Sequence, residues 1–281
     1  MADTCLLVDV SYLAHRAWHT TGGLHNAGEE VGVSFGVIQA IDHLSNHFGS
    51  VRTVLAFDSG GGGLRAQIRP EYKANRAKDE TEEEKVSRHR FYQQIDDLRA
   101  RLLPEIGYKN IFKFRGFEAD DIIASACDGV TDAVIVTSDN DLWQCLTGDI
   151  RWYNPTTKKL VTAKSFKAIW GIEPVSWSTV KAAAGCISDN VKGIDGVGEK
   201  TAVDWLRGVL KEGSKRLKAI DDGLETINSN LPLVKLPFKG TPELNIVDDQ
   251  ITETGRRTVD GWLGIRDCPR TRQGTPSGFQ L

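Results

Sequence analysis

The sequence lacks the features of a secreted, zinc-binding or membrane protein. Its five cysteines among 281 residues are scattered, odd in number and without any Cys-x-x-Cys pair, which argues against a disulfide framework and a zinc site. No apolar run approaches the ~20 residues of a membrane-spanning helix. The first residues have neither the basic start nor the apolar stretch of a signal peptide. We therefore expect a soluble, cytoplasmic protein with no membrane partner.

The sequence also lacks an excess of charge of one sign, because 35 basic and 38 acidic residues leave a formal net charge of −3. The sequence therefore carries no global signal for nucleic-acid binding, and any basic surface has to be local. Residues 64–78 hold five basic residues against the single acid Glu71, and residues 200–218 hold six against Asp204 and Glu212. Two basic patches, with the acids grouped elsewhere, fit a polyanionic substrate.

Five carboxylates lie close together in the stretch from Phe117 to Asp141. Three open a predicted helix over 118–127, and two directly follow a predicted strand over 133–137; they are Glu118, Asp120, Asp121, Asp139 and Asp141. Carboxylates crowded in this way repel one another unless a cation lies among them. Clustered oxygen ligands suit Mg²⁺ or Mn²⁺. The stretch therefore predicts an acidic metal site.

Short apolar runs alternate with helical patterns over the first part of the chain. The runs predict strands at 5–10, 51–57, 108–114 and 133–137, with a fifth at 150–153, and one amphipathic helix is expected to be capped by Ser34. This alternation favours an α/β fold with a mostly parallel sheet. Ligands bind such sheets at the carboxyl ends of the strands. Asp9, Asp58 and Asp139 each directly follow a strand, so we expect them to converge there.

After about residue 163 the pattern changes to helices, predicted at 164–170, 177–186, 199–210 and 214–220. A glycine-rich loop at 193–198 precedes one of them, and backbone exposed by glycine at a helix N-terminus suits phosphate contact. We divide the chain into an α/β domain at 1–163, a helical region at 164–238 and an extension at 239–281. The stretch 251–263 packs back on the sheet or meets a partner, and the end, 268–281, is expected to be disordered.

Six motifs follow one another along the chain. They are Asp9, Asp58, Arg69-Pro70-Glu71-Tyr72-Lys73-Ala74-Asn75-Arg76, Glu118-Ala119-Asp120-Asp121, Ser138-Asp139-Asn140-Asp141, and the segment 189–202 that begins Asp189-Asn190-Val191-Lys192-Gly193. In this order they resemble the flap endonuclease family of 5′ nucleases, which includes phage 5′-3′ exonucleases and the 5′-nuclease domain of bacterial DNA polymerase I. The resemblance implies a free-standing nuclease with a PIN-like twisted sheet flanked by helices, a helical arch at about 59–90 and a helix-three-turn-helix in the 164–238 region.

The resemblance also implies an activity and a set of site residues. The activity is a structure-specific 5′-3′ exonuclease or flap endonuclease of replication and repair, a monomer that acts on 5′ flaps, nicked or gapped duplexes and single-stranded 5′ ends. One or two Mg²⁺ or Mn²⁺ ions would be held by Asp9, Asp58, Glu118, Asp120, Asp121, Asp139, Asp141 and Asp189. Catalytic roles fall to Asp9, Asp58, Asp139, Lys73 and Arg76. DNA contacts fall to Arg69, Tyr72, Lys73, Arg76, Gly196, Gly198, Lys200 and Thr201. Backbone carbonyls of Ser188, Ile194 and Val197 would bind K⁺.

One position departs from the family pattern. The second metal site of the family takes two aspartates in a Gly-Asp-x-x-Asp-Asn pattern, and here Cys186 stands in place of the first of them. A thiol is a poor ligand for Mg²⁺. Two alternatives to a 5′ nuclease stay open, the first of them because the sheet and the acids alone would serve it equally well. One is an RNase of the PIN type, and the other is a DNA-structure binder whose catalysis is weakened at Cys186.

Overall fold

The computed structural model describes residues 4–60, 63–76 and 81–265. Their strands are β1 Cys5–Asp9, β2 His25–Asn26, β3 Glu29–Glu30, β4 Arg52–Ala56, β5 Asn110–Phe112, β6 Asp132–Val136, β7 Asp149–Asn154, β8 Lys159–Thr162, β9 Gly185–Cys186 and β10 Val191–Lys192. Their α-helices are α1 Val10–Thr20, α2 Gly32–Phe48, α3 Gly63–Ile68, α4 Glu82–Asp97, α5 Leu103–Ile106, α6 Ala119–Asp128, α7 Ala163–Trp170, α8 Trp177–Ala184, α9 Glu199–Leu206, α10 Lys215–Asp222, α11 Leu224–Val234 and α12 Glu253–Trp262.

Short 3₁₀ helices occur at Ala74–Arg76, Asn140–Cys145, Pro174–Ser176 and Ile187–Asp189, and a π-helical turn at Leu98–Leu102 continues α4. The chain forms two compact units that are both discontinuous in sequence. Unit 1 comprises residues up to 57, 79–112 and the part from 245 onward; unit 2 comprises 58–78 and 113–244. The linear domain boundaries at 163 and 238 stay a prediction. The expected end of the chain, 268–281, lies outside the described residues, as does Lys78 of the basic segment.

Unit 1 is built on three parallel strands in the order β5, β4, β1. Leu6, Leu7 and Val8 of β1 are fully buried, as are Val54 and Leu55 of β4, because strands of a parallel sheet are covered on both faces. The predicted strands at 5–10, 51–57 and 108–114 are thus confirmed, with bounds at most two residues shorter at either end.

The helix predicted to start at Ser34 begins two residues earlier, at Gly32. Ser34 lies inside the helix and is buried, so the prediction that it is the cap is wrong. The N-terminal amide groups of α2 are satisfied from α4 instead, since Gln94 Oε1 accepts from Val33 N at 2.9 Å and from Ser34 N at 3.3 Å. A helix start leaves such donors without backbone partners, and a distant side chain can serve them as well as a local one.

The segment just after residue 244 packs back onto unit 1. Asn110 in β5 forms a reciprocal pair of 2.8 Å hydrogen bonds with the backbone of Val247. Asp249 accepts from Thr53 N at 2.8 Å and from Lys109 N at 2.9 Å. Gly107 has φ +113°, and a Cβ there would lie 1.9 Å from the Gln250 carbonyl oxygen. We call 245–252 the C-terminal strap; it covers strand groups that would otherwise lack partners.

We expect Asp249→Ala to lower the free energy of unfolding by about 2 kcal/mol, because two backbone N–H groups lose their acceptor. The control is its neighbour Asp248. Its side chain is 88% exposed and makes a long contact of 3.7 Å to Arg52 Nε. Asp248→Ala should change stability by less than about 0.5 kcal/mol. Urea titrations of both variants measure the difference. Equal losses would show that the strap is not held by Asp249.

Unit 2 contains the other three long strands. β6 and β7 are parallel, and β8 returns antiparallel to β7. The strands predicted at 133–137 and 150–153 are confirmed, whereas β8 had no counterpart in the sequence analysis. The helix expected over 177–186 ends at Ala184, because Gly185 has φ +78° and its Cβ would lie 2.3 Å from Gly193 N. That early end places Cys186 in the short strand β9.

Candidate active site

The acids that open α6 have two different environments, and Asp121 has the more enclosed one. Its side chain is fully buried, with Arg65 Nη1 and Nη2 at 2.6 and 2.7 Å from its two oxygens. It also accepts from Phe238 N at 2.8 Å and from Glu118 N at 3.1 Å. A carboxylate that already accepts from four donors has little capacity left to bind a metal ion, so Asp121 is not among the proposed ligands.

Arg65 is the buried partner of that carboxylate. It is 2% exposed, donates from Nε to the Leu233 carbonyl at 2.8 Å, and lies 4.8 Å from the ring centroid of Phe238. Burial alone would lower its pKa, but the hydrogen bonds and charge of Asp121 raise it above the usual value. The prediction that Arg65 belongs to a basic, phosphate-facing surface is therefore wrong. No local pattern separates it from Arg76 nearby, which is exposed.

Glu118 caps α6 and remains partly exposed. Lys73 Nζ lies 2.6 Å from its Oε1, and the Tyr72 hydroxyl donates to its Oε2 at 3.1 Å. Burial alone would lower the pKa of Lys73, but the charge of Glu118 outweighs burial, so the pKa of Lys73 lies above its usual value. Burial and the charge of Glu118 both raise the pKa of Tyr72. Asp58 joins the same helix start, since its Oδ1 accepts from Ala119 N at 2.9 Å.

The basic segment that follows α3 is docked on the 3₁₀ turn that ends at Asp189. Lys73 has a left-handed backbone, with φ +56°, and its N–H donates to the Asp189 carbonyl at 2.9 Å. Arg76 Nη2 lies 2.7 Å from Asp189 Oδ1, and Asn190 Nδ2 donates to the Glu71 carbonyl at 2.8 Å. Residues about 115 positions apart in sequence therefore form one surface, on which Lys73 and Arg76 both contact carboxylates.

Asp139 follows the end of β6 after two intervening residues, and three hydrogen bonds fix it. Its N–H donates to Thr137 Oγ1 at 3.2 Å, its Oδ1 accepts from Asp141 N at 2.8 Å, and its carbonyl accepts from Trp152 Nε1 at 2.8 Å. Trp152 lies in β7 and is 3% exposed, in ring contact with Trp143. The exposed carboxylate of Asp139 is thus mounted on a backbone that buried residues hold in place.

We expect Trp152→Phe to lower metal affinity or turnover about tenfold, because partners of a ligand residue typically matter by 10–100-fold. The variant keeps an aromatic ring but loses the donor to the Asp139 carbonyl. Trp170→Phe is the control, since Trp170 contacts the rings of Trp143, Phe166 and Trp177 in the same cluster. A metal titration of cleavage rates for both variants makes the comparison. Equal effects would assign Trp152 to packing alone.

Lys181 is a site residue that the sequence analysis missed. It projects from α8, its side chain is 9% exposed, and its Nζ lies 2.9 Å from Asp141 Oδ1 and 3.2 Å from Glu199 Oε1. Burial opposes the charged form, but Asp141 and Glu199 raise the pKa of Lys181. Burial, with the charge of Asp139, raises the pKa of Asp141 to about 6, although Lys181 opposes that shift. The spacing of an isolated lysine in a helix gives no signal for such a role.

The 3₁₀ turn at Ile187–Asp189 completes the arrangement. One ligand atom each from Asp141, Cys186 and Asp189 lie within 4.8 Å of one another. Cys186 Sγ is also 3.0 Å from Ser188 Oγ, and burial raises the pKa of the Cys186 thiol. Tyr72 links this group to the start of α6, because its hydroxyl is 3.4 Å from Asp189 Oδ2 as well as 3.1 Å from Glu118.

The remaining sequence-predicted site residues lie in several places. Asp9 belongs to unit 1, where it ends β1 and caps α1 through Tyr12 N at 2.9 Å. Asp120 lies in the first turn of α6. Arg69 is bound to Asn230 Oδ1 at 2.7 Å, and Tyr72 is 4% exposed. Because Arg69 is already hydrogen-bonded and Tyr72 is buried, neither belongs to the proposed DNA-binding residues.

The glycine-rich loop before α9 keeps an open backbone. Gly196 has φ +78°, and no atom lies within 4 Å of a Cβ built on Gly196 or Gly198. Gly198 caps α9, whose first turn carries Lys200 and Thr201. Of the carbonyls predicted to bind K⁺, that of Ser188 accepts from Arg76 Nε at 3.4 Å and that of Ile194 from Val197 N at 3.0 Å.

The chain is similar to known proteins in sequence. A family model described as the 5′-3′ exonuclease, N-terminal resolvase-like domain, matches residues 4–171. The chain belongs to the 5′-3′ exonuclease family. The 5′-3′ exonuclease of Buchnera aphidicola is 30% identical over 241 residues, covering 83% of this chain and 76% of the relative. That of Mycoplasmopsis pulmonis is 32% identical over 231 residues, covering 81% and 72%.

A solved structure extends the likeness to the fold. The bacteriophage T5 flap endonuclease, in a pseudo-enzyme–product complex with DNA and metal ions, aligns with a TM-score of 0.70 at 23% identity, covering 83% of this chain and 89% of that one. The matches confirm three predictions for this 5′-3′ exonuclease family member: the family, the PIN-like α/β class with its mostly parallel strands, and an enzyme of the nuclease class. Among the residues that the structure describes, no helix is long and apolar enough to cross a bilayer.

Proposed function

We propose that this chain is a divalent-metal-dependent, structure-specific 5′ nuclease that hydrolyses DNA phosphodiester bonds near 5′ flaps, nicks or free 5′ ends. The observation that carries the proposal is the meeting of Lys73 and Arg76 with Glu118 and Asp189 at 2.6 and 2.7 Å. Candidate metal ligands and candidate phosphate-binding cations thus share one surface. The metal- and DNA-bound T5 relative and the named exonuclease relatives support the same activity.

The first metal ion would be held by Asp58, Glu118, Asp120 and Asp139 of unit 2, and Asp9 stays a predicted ligand. All of these are oxygen donors, and an oxygen-only set fits Mg²⁺ or Mn²⁺. A divalent ion bound to such a set supplies Lewis acidity and lowers the pKa of a bound water. Lys73 and Arg76 would exchange their carboxylate contacts for the phosphate and orient it. Their charges would then stabilise the charge that develops in the transition state.

Duplex DNA would be bound by the loop before α9. The open backbone at Gly196 and Gly198, with the exposed Lys200 and the half-buried Thr201 after it, presents N–H groups and a cation at a helix start. K⁺ would bind beside it through the carbonyls of Ser188, Ile194 and Val197. Action as a monomer in the cytoplasm, in replication and repair, completes the proposal; the scattered cysteines support a reducing compartment.

A cleavage assay tests the activity against both alternatives. The substrates are a 5′-flap duplex, a nicked duplex, single-stranded DNA and single-stranded RNA, each with Mg²⁺ or Mn²⁺. We expect cleavage of the flap duplex near its junction. Preferential cutting of single-stranded RNA would favour the PIN-type RNase instead. Tight flap binding without turnover in either metal would favour the DNA-structure binder.

The two groups of basic residues should have different effects. We expect Lys73→Ala and Arg76→Ala to lower turnover about 100-fold with little loss of duplex affinity, because these side chains act at the reacting phosphate. Changes of the exposed Lys200, Lys211 and Lys215 to alanine should weaken duplex binding and reduce its salt dependence. Single-turnover rates and binding isotherms at several salt concentrations separate the two effects. If the loss of turnover and the loss of duplex affinity stood in the same ratio in all five variants, this division would be contradicted.

A further inference from the structure

The second metal position does not have the donor set that its family pattern implies. The three atoms that could reach one ion belong to Asp141, Cys186 and Asp189 and lie within 4.8 Å of one another. Mg²⁺ requires oxygen ligands in near-octahedral geometry, and sulfur favours softer ions. Cys186 therefore removes one hard ligand from a group in which only two carboxylates remain.

Both of those carboxylates already contact a cation of the chain itself. Lys181 Nζ is 2.9 Å from Asp141 Oδ1, and Arg76 Nη2 is 2.7 Å from Asp189 Oδ1. A divalent ion placed among these atoms would add two positive charges beside two that are present. Coulomb repulsion at these distances opposes its binding, because partly buried charges are weakly screened.

The two cations differ in how firmly they are held. The Arg76 side chain is 55% exposed, so it can leave Asp189 for a phosphate. The Lys181 side chain is 9% exposed and lies between Asp141 and Glu199, with Asn140 Oδ1 at 3.4 Å. A buried ammonium with two carboxylates around it has no comparable alternative. Lys181 is thus a fixed charge, whereas Arg76 is a movable one.

We propose that Lys181 takes the place of the second metal ion, so that this nuclease works with one divalent ion and one fixed lysine. The inference rests on the proposed function, since it presumes a first ion at Asp139 and Glu118. It assigns Lys181 a positioning and charge-balancing role at Asp141 rather than contact with the scissile bond. The Cys186 thiol then lies beside the charge pair without binding a metal.

Counting the bound ions tests this directly, without reliance on activity. Mn²⁺ is titrated into the full chain at low millimolar concentrations, and free Mn²⁺ is followed by its electron paramagnetic resonance signal. We expect one Mn²⁺ per wild-type chain, lost in Asp139→Ala. The double variant Lys181→Met, Cys186→Asp should bind two, because it restores a carboxylate and removes the competing charge. One ion in a folded double variant would contradict the role of Lys181.

Two further outcomes would overturn the inference. Two Mn²⁺ ions per wild-type chain would do so and leave the proposed function intact, and this count is decisive even if the double variant does not fold. A cadmium–thiolate absorption band that appears in wild type and is lost in Cys186→Ser would show that the thiol binds a second, softer ion. No bound Mn²⁺ in wild type would instead remove the first ion, and with it the proposed function.

Discussion

Asp139→Ala should lower the single-turnover rate of flap cleavage by about 10³-fold, while flap affinity in Ca²⁺ or in the absence of metal stays unchanged. The magnitude corresponds to about 4 kcal/mol of transition-state stabilisation, which is the scale that a bound metal ion supplies. Asp139 is the suitable target because its carboxylate is exposed, while hydrogen bonds to Thr137 and Trp152 hold its backbone. Truncation therefore removes a ligand oxygen with little disturbance of β6.

The control for this variant is Asp149→Ala, an exposed acid at the start of the adjacent strand β7. It should cleave as fast as wild type. Rapid-quench measurements on a labelled 5′ flap give both rates, and thermal unfolding shows whether each variant is folded. An Asp139→Ala protein that cleaves within tenfold of wild type would remove the metal site from the mechanism.

Arg65→Met should lower the free energy of unfolding by about 4 kcal/mol, which is the largest stability effect that we expect in the described chain. The variant leaves Asp121 fully buried with no guanidinium, although Phe238 N and Glu118 N still donate to it. A buried carboxylate without its counter-charge is costly, and the Leu233 carbonyl also loses its donor. Urea unfolding followed by circular dichroism measures the loss.

Two further variants separate charge from packing in this prediction. The double variant Arg65→Met, Asp121→Leu removes both charges and should recover more than half of the loss, because apolar replacement of a buried pair is often nearly neutral. Lys192→Ala is the exposed control, since Lys192 and Asp195 are 82% and 89% exposed. It should change stability by less than about 0.5 kcal/mol. A double variant as unstable as Arg65→Met would show that shape, not charge, holds this site.

The sequence predicts what is encoded locally and misses what depends on distant partners. Apolar runs gave β1, β4 and β6, because a buried parallel strand needs a continuous apolar stretch. Asp58 and Asp139 lie within three residues of the ends of β4 and β6, and their role as metal ligands stays a prediction. In contrast, Asp121 stands beside Asp120 in a single motif, and distant partners such as Arg65, 56 positions earlier, separate their environments. Ser34 looked like a helix cap because the true acceptor, Gln94, lies 60 positions away.

The same distinction explains Lys181 and the strap. Lys181 contacts Asp141, 40 positions earlier, and nothing in the spacing of α8 marks it. The stretch 245–252 has no strand or helix pattern because its hydrogen bonds go to β4, β5 and Gly107. Tertiary contacts of this kind override local preference. Such contacts can be predicted only when the positions of the elements that they join are known.

The strap also sets the order in which the molecule can be completed as it is made. Chains emerge from the ribosome N-terminus first, and domains generally fold as units. Unit 1 contains the first strand, yet it cannot close until the residues around Asp249 have been synthesised. Unit 2 is complete by residue 244. The unit that contains the first strand is therefore completed last, and Thr53 N and the Asn110 side chain lack their partners in the strap throughout that interval.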